Sequence, residues 1–291
     1  MGQFLISVLV LSSLYALLAA GFVVVYRSSR VLNLAHGDLM MFGGYLAFAV
    51  SPLSGQTLWV SIIFGVALSV GLGYVTYFLL IRPIVGQPIH SVTLVTVGLS
   101  ILLRGLATLL WGAEFRFLTT VFNVENHTIT LPFDTVIGIF DVAIIAAAAI
   151  YLLFLYLLFF RLRLGVRMRA VAESPVLASQ RGVNIYRLFA LSWCIAVFGA
   201  SIAGILYGLS SYLNPEMGPI GLMAIAVAIV GGMDSLAGVV PGAILVGLTQ
   251  SLVSRYVDPI IGNVVPMVIL LIVLIVRPSG LFGTKEEIER V

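Results

Sequence analysis

Charge is scarce in this chain. Only 9% of its 291 residues are Asp, Glu, Lys or Arg, against 61% hydrophobic. Soluble domains carry about a quarter charged residues, so the chain lacks the polar surface a soluble globule needs. Its single cysteine, Cys194, excludes an intrachain disulfide and a cysteine-based metal cluster. GxSxG, HExxH and any Cys/His pairing are missing, as is the GxxxxGK(S/T) phosphate loop. The chain is therefore expected not to be an enzyme, to hold no cofactor and to bind no ATP through a Walker site. His90 and His127 fall in loops without ligand-like neighbours, which argues against a metal. The net charge of +3 comes mostly from arginines flanking apolar runs; it reports topology and not nucleic-acid binding. No basic leader precedes the first apolar run, Phe4 to Tyr26, which reads as a span and not a cleavable signal.

What is present is a series of continuous apolar runs, at 4–26, 38–50, 57–81, 91–111, 142–160, 188–210, 221–232, 239–254 and 259–276. Their continuity excludes a β-barrel, whose strands alternate. The fold class predicted is all-α and polytopic, with eight to nine spanning or partly spanning helices in one transmembrane domain, 1–291. Arginines follow the first, third, fifth and last runs, all at ends that alternation puts on one side. Basic residues mark the cytoplasmic side, so the N-terminus is expected outside and the C-terminus, with its charged tail TKEEIERV, inside. The longest outer loop is 112–135.

Two runs, 38–50 and 221–232, are too short for a span of about 20 residues. Each adjoins a polar or glycine-rich break, LNLAHGDL in one case and GGMDSLAG in the other. Irregular backbone at membrane depth is tolerated only where protein or a water-lined cavity satisfies it. Short segments stand second in each of two halves, 4–111 and 188–276, which begin on opposite sides; this spacing suggests an inverted repeat around a transport pathway. Asn33, His36, Gly37, Gly231, Gly232 and Ser235 are the pathway candidates. A second reading makes LNLAHGDL an interfacial turn with His36 and Asp38 facing headgroups. Close helix packing would equally explain the paired glycines. Gly231 and Gly232 are read as opening a helix end whose amides face an anionic group. Arg104 lies inside the fourth run; it is read as snorkelling to the outer interface, the alternatives being an anionic substrate or a partner such as Asp141. Packing explains the small residues Gly199, Ala200, Ser201, Ala203, Gly204 and Gly208.

The stretch 161–187, RLRLGVRMRAVAESPVLASQRGVNIYR, sets six arginines against one carboxylate, Glu173. Its middle, 169–181, is helix-compatible apart from Ser174-Pro175, and Pro is tolerated in a first turn. A membrane protein that presents a short basic helix to the cytoplasm is offering it to a cytoplasmic partner.

Five blocks in order resemble one family, the permease subunits of branched-chain amino acid type ABC importers (the LivH class). These are SLYALLAAGFVVVYRSSRVLNLAHGDLMMFGGYLA, TLVTVGLSILLRGLATLLWG, RAVAESPVLASQRGVNIYRLFALSW, VAIVGGMDSLAGVVPGAILVGL and RPSGLFG. Ala237 stands where that family often has Pro, and Arg104 where a polar amide is frequent.

The resemblance implies a multi-pass inner-membrane permease that forms the pathway for branched-chain amino acids or a related small solute such as urea, an amide or an aromatic carboxylate. It implies cytoplasmic ATPase subunits carrying ATP and Mg, a second related permease chain and an external solute-binding protein. Within the cytoplasmic loop 161–187, the part around Ala170 to Gly182 would be the coupling helix that docks into a groove on the ATPase. Arg169, Glu173, Arg181 and Gly182 would contact the ATPase, and Val171, Val176 and Leu177 would fill its groove. The alternatives are a self-sufficient secondary transporter or channel, which would need intramembrane acids or histidines for ion coupling, and an intramembrane enzyme, which would need a catalytic pair.

Overall fold

A computed structural model describes residues 2–131 and 135–283. The tail TKEEIERV and Asp134 lie outside the described residues. The elements are α1 (Gly2–Ser29), α2 (His36–Val50), α3 (Leu58–Thr76), α4 (Ile89–Trp111), α5 (Leu118–Val121), β1 (Thr128–Leu131), β2 (Thr135–Gly138), α6 (Ile139–Arg161), α7 (Arg163–Glu173), α8 (Pro175–Gln180), α9 (Ile185–Ser210), α10 (Gly218–Gly231), α11 (Leu236–Tyr256) and α12 (Pro259–Val276). Among the described residues, seven helices are long and apolar enough to cross a membrane. Together with α2 and α10 they coincide with the nine apolar runs. The protein is an all-α multi-pass membrane protein.

The segment between α4 and α6 is more structured, among its described residues, than its sequence suggested. It carries the single turn α5 and an antiparallel hairpin in which Thr128 pairs with Gly138 and Leu131 with Thr135. The signal was the period-2 alternation Thr-Ile-Thr-Leu, too short to stand out beside apolar runs.

Four helices, α1, α2, α9 and α10, form the centre, and α3, α4, α6, α11 and α12 surround them. Small residues allow this centre to close. A Cβ on Gly43 of α2 would lie 2.4 Å from Ser201 Cα of α9, and one on Gly204 would strike the Met40 carbonyl. Without a hydrophobic drive between helices in lipid, such close backbone approach supplies the van der Waals contact that associates them. Leu17, Leu18, Ala19, Val23 and Val24 of α1 have no exposed surface. The outer helices instead turn Leu, Ile and Phe outward, as at Ile63, Leu109, Ile150 and Ile275.

Candidate functional site

The first helix break begins where Arg30 takes a left-handed φ of 53° and ends α1. The chain then folds back through 31–35. Asn33 Oδ1 accepts the Ala35 N–H at 3.1 Å and the Asn33 carbonyl accepts the His36 N–H at 3.3 Å, an Asx turn that starts α2. From α4, Thr96 Oγ1 accepts the Leu34 N–H at 3.2 Å, so a neighbouring span satisfies the broken backbone.

A break at 211–217, not among those expected, repeats this construction after α9. Asn214 Oδ1 accepts the Glu216 N–H at 2.7 Å, and a short 3₁₀ turn leads into α10. Arg116 and Leu213 exchange backbone hydrogen bonds at 2.9 and 2.7 Å, tying this segment to the loop after α4. Both breaks therefore read Asn-x-x-x-Gly, Asn33 to Gly37 and Asn214 to Gly218. This match is the signal in the sequence that pattern reading missed.

The two short helices cross at their starts. A Cβ on Gly37 would sit 2.3 Å from the Gly218 carbonyl, and one on Gly221 would sit 2.4 Å from Gly37 Cα. Each is about 22 Å long or less at 1.5 Å per residue, short of a hydrocarbon core of about 30 Å.

Charge is buried at this crossing. Asp38, 1% exposed, accepts from Arg104 Nε at 2.7 Å through Oδ1 and from Ser100 Oγ at 2.5 Å through Oδ2. A carboxylate in the first turn of α2 also lies at the favourable end of its dipole. A Cβ on Gly218 would fall 2.4 Å from both Arg104 Nη2 and Asp38 Oδ1, so α10 starts directly on the pair. The structure corrects two expectations here. Asp38 does not face headgroups, and Arg104 does not simply snorkel, because the two pair across 66 positions of sequence. Asp141 instead accepts from Ser210 Oγ at 2.5 Å.

The pathway candidates divide between two places. Asn33, His36 and Gly37 lie at the crossing, all buried. His36 packs on Phe22, ring centroids 4.5 Å apart, and needs Gly21, whose Cβ would lie 2.5 Å from its Nε2. Among the described residues, no hydrogen bond of ordinary geometry reaches its ring nitrogens.

Gly231, Gly232 and Ser235 lie at the opposite end of α10. Gly231 closes α10 and so presents carbonyls, contrary to the expected amide end. Those carbonyls are capped by RPSGLFG: Leu281 and Phe282 donate their N–H groups to Val230 and Gly231 at 2.8 and 3.0 Å. Gly232, at φ 109°, abuts Gly283, and Ser235 Oγ caps α11 by accepting the Gly238 N–H at 3.2 Å.

A cavity of about 400 Å³ opens between α1, α9, α10, α11 and α12, a site sequence reading did not identify. Tyr15, Tyr207, Asn214, Glu216, Gln250 and Asn263 supply its polar lining. Tyr15 Oη donates to Gln250 Oε1 at 2.7 Å, and Gln250 Nε2 to Asn263 Oδ1 at 3.4 Å.

The basic loop folds as two helices. Ser174 Oγ caps α8 by accepting the Leu177 N–H at 3.3 Å, with Pro175 in the first turn. Val176 and Leu177 are 64% and 62% exposed, and Glu173, Arg181 and Gly182 are exposed beside them. Val171 is 1% exposed; it packs into the protein's own core and is not available to fill a partner's groove. Arg169 is half-buried, donating to the Phe159 carbonyl and lying 5.9 Å from the Phe160 ring centroid.

Two short helices meeting beside an ion pair, within a shell of lipid-length spans, are the architecture of a multi-pass membrane protein. The chain belongs to the family described as branched-chain amino acid transport system / permease component, whose pattern it matches over residues 4–274. It is 29% identical to the high-affinity branched-chain amino acid transport system permease protein LivH of Escherichia coli K12, over 97% of this chain and 94% of that one. It is 28% identical to the permease protein BraD of Pseudomonas aeruginosa, over 99% and 97%. The solved structure of PsaBC from Streptococcus pneumoniae in complex with Fab shares the fold, with a TM-score of 0.50 at 14% identity over 95% of this chain and 93% of that chain.

Proposed function

We propose that the chain is the permease subunit of an ATP-driven importer, carrying a branched-chain amino acid or a related small solute. The observation that carries this reading is the pair of Asn-x-x-x-Gly breaks meeting at glycine contact inside a family of transport permeases. Two helices that start at one point and run to opposite faces form the hinge about which halves of a transporter rock.

An inverted repeat, with α1–α4 matching α9–α12, fits this architecture. Under that correspondence α1 with α11 exchanges for α9 with α3, and α2 with α9 exchanges for α10 with α1; all four pairs pack. The N-terminus is outside and the C-terminus cytoplasmic, since the arginines after α1, α3 and α6 then share the inner face with α7 and α8. An ATPase docks on α8, where Val176 and Leu177 stand exposed among arginines. ATP and Mg belong to that partner. A second related permease chain and an external solute-binding protein complete the importer.

Affinity purification from native membranes, with mass identification of what stays bound, tests this. Recovery of an ATPase and a second permease chain, together with ATP-dependent leucine uptake by the complex in vesicles, is the expected result. Uptake driven by an ion gradient without ATP would overturn it in favour of a secondary transporter.

A further inference from the structure

Arg104 is paired and yet 41% of its side chain remains exposed, whereas Asp38 is sealed. It sits seven residues before the end of α4 at Trp111, roughly 10 Å along the axis at 1.5 Å per residue. A charge facing hydrocarbon within a span is costly unless it is paired or reaches water, and the exposed portion of the guanidinium bears that cost. The face of α4 that carries it is accordingly not a lipid face.

The sequence of α4 agrees. At about 100° per residue, Thr93, Ser100, Arg104 and Thr108 fall within an arc of about 80°, a polar strip along the span broken only by Val97 and Trp111. The exposed apolar surface elsewhere is Leu94, Ile101, Leu102, Leu106, Leu109 and Leu110, suited to lipid. Ser100 and Arg104 both hold Asp38, which fixes the guanidinium by Nε and turns its Nη fork toward the start of α10. A planar fork held by its Nε edge is preorganised for a second carboxylate.

We propose that the polar strip of α4 lines the solute path and that Arg104 recognises the carboxylate of the transported solute. This rests on the permease reading and deepens it, selecting carboxylate solutes over urea and neutral amides.

The experiment uses the assembled transporter with Cys194→Ala and Thr108→Cys, probed by membrane-impermeant thiol reagents, one anionic and one cationic. The thiol introduced at position 108 should react, and the ratio of anionic to cationic rates should fall at least fivefold when Asp38→Asn and Arg104→Gln are combined. That double substitution leaves no buried charge unpaired. Leucine uptake should then fall more than tenfold while the complex still assembles, and Arg104→Lys alone should keep more uptake than the double variant. Failure of the introduced thiol to react, an unchanged ratio, or wild-type leucine uptake by the double variant would each overturn the proposal. The labelling arm needs no transport, so absent uptake by the parent complex overturns the permease reading and with it the solute role of Arg104, whereas normal parent uptake with an unreactive thiol or an unchanged ratio overturns this proposal alone.

Discussion

Gly37 and Gly221 touch backbone to backbone: a Cβ on Gly221 would stand 2.4 Å from Gly37 Cα and 2.5 Å from its nitrogen. The contact joins the starts of the two short helices, and the atoms it would displace are main chain, which cannot rotate away. Gly221→Ala should therefore push α2 and α10 apart, at about 1–3 kcal/mol for overpacking. Thermal unfolding of the purified protein should shift downward by several degrees, and uptake should fall at least tenfold. An unchanged melting temperature would mean that the helices separate freely at this point.

Gly232 has no side chain that fits. Its φ of 109° is strained for any other residue, and its Cβ direction points 2.5 Å from Gly283 N. Gly232→Leu should cost about 1–3 kcal/mol of backbone strain and displace RPSGLFG from the end of α10. Limited proteolysis should then cut the C-terminal segment faster than in the parent, with transport lost. Parent-like protection with full transport would refute the capping role.

On the basic loop, exposure separates two roles. Leu177→Glu and Glu173→Arg alter exposed positions, so insertion and folding should be normal while ATPase co-purification and uptake decline. Val171→Ala should do the reverse. Deleting two buried methyls destabilises the chain by about 1–3 kcal/mol and leaves ATPase recovery per folded molecule unchanged. If Leu177→Glu retains its ATPase, α8 is not the docking element.

Tyr15→Phe removes the hydroxyl that donates to Gln250 inside the cavity. Gln250, 6% exposed, would lose a partner, a loss of about 1–3 kcal/mol when a buried polar group goes unsatisfied. Denaturation midpoints of the two proteins in the same detergent check this. Equal midpoints would indicate that solvent in the cavity replaces the hydroxyl.

The spans were legible in the sequence because hydrophobic length is a local property. Each run of about 18 or more apolar residues must become a helix to satisfy its own backbone in lipid, and Ser174-Pro175 announced the start of α8 for similarly local reasons. The short runs and the breaks LNLAHGDL and GGMDSLAG were visible too, as was the exposed apolar pair Val176 and Leu177; the break at Asn214 was not. What the breaks do was not visible.

Asp38 and Arg104 were each read alone, since nothing within a helical turn of either names the other. Gly231 was assigned the wrong end of a helix because only the folded chain brings Leu281 and Phe282 to its carbonyls. Val171 reads as an apolar member of a docking face until α7 turns it inward. Composition and hydrophobic length thus determined that this chain crosses the membrane many times and where. Which charge neutralises which, which glycines touch and which apolar side chains remain free were decided by tertiary packing, because those interactions join residues tens to hundreds of positions apart.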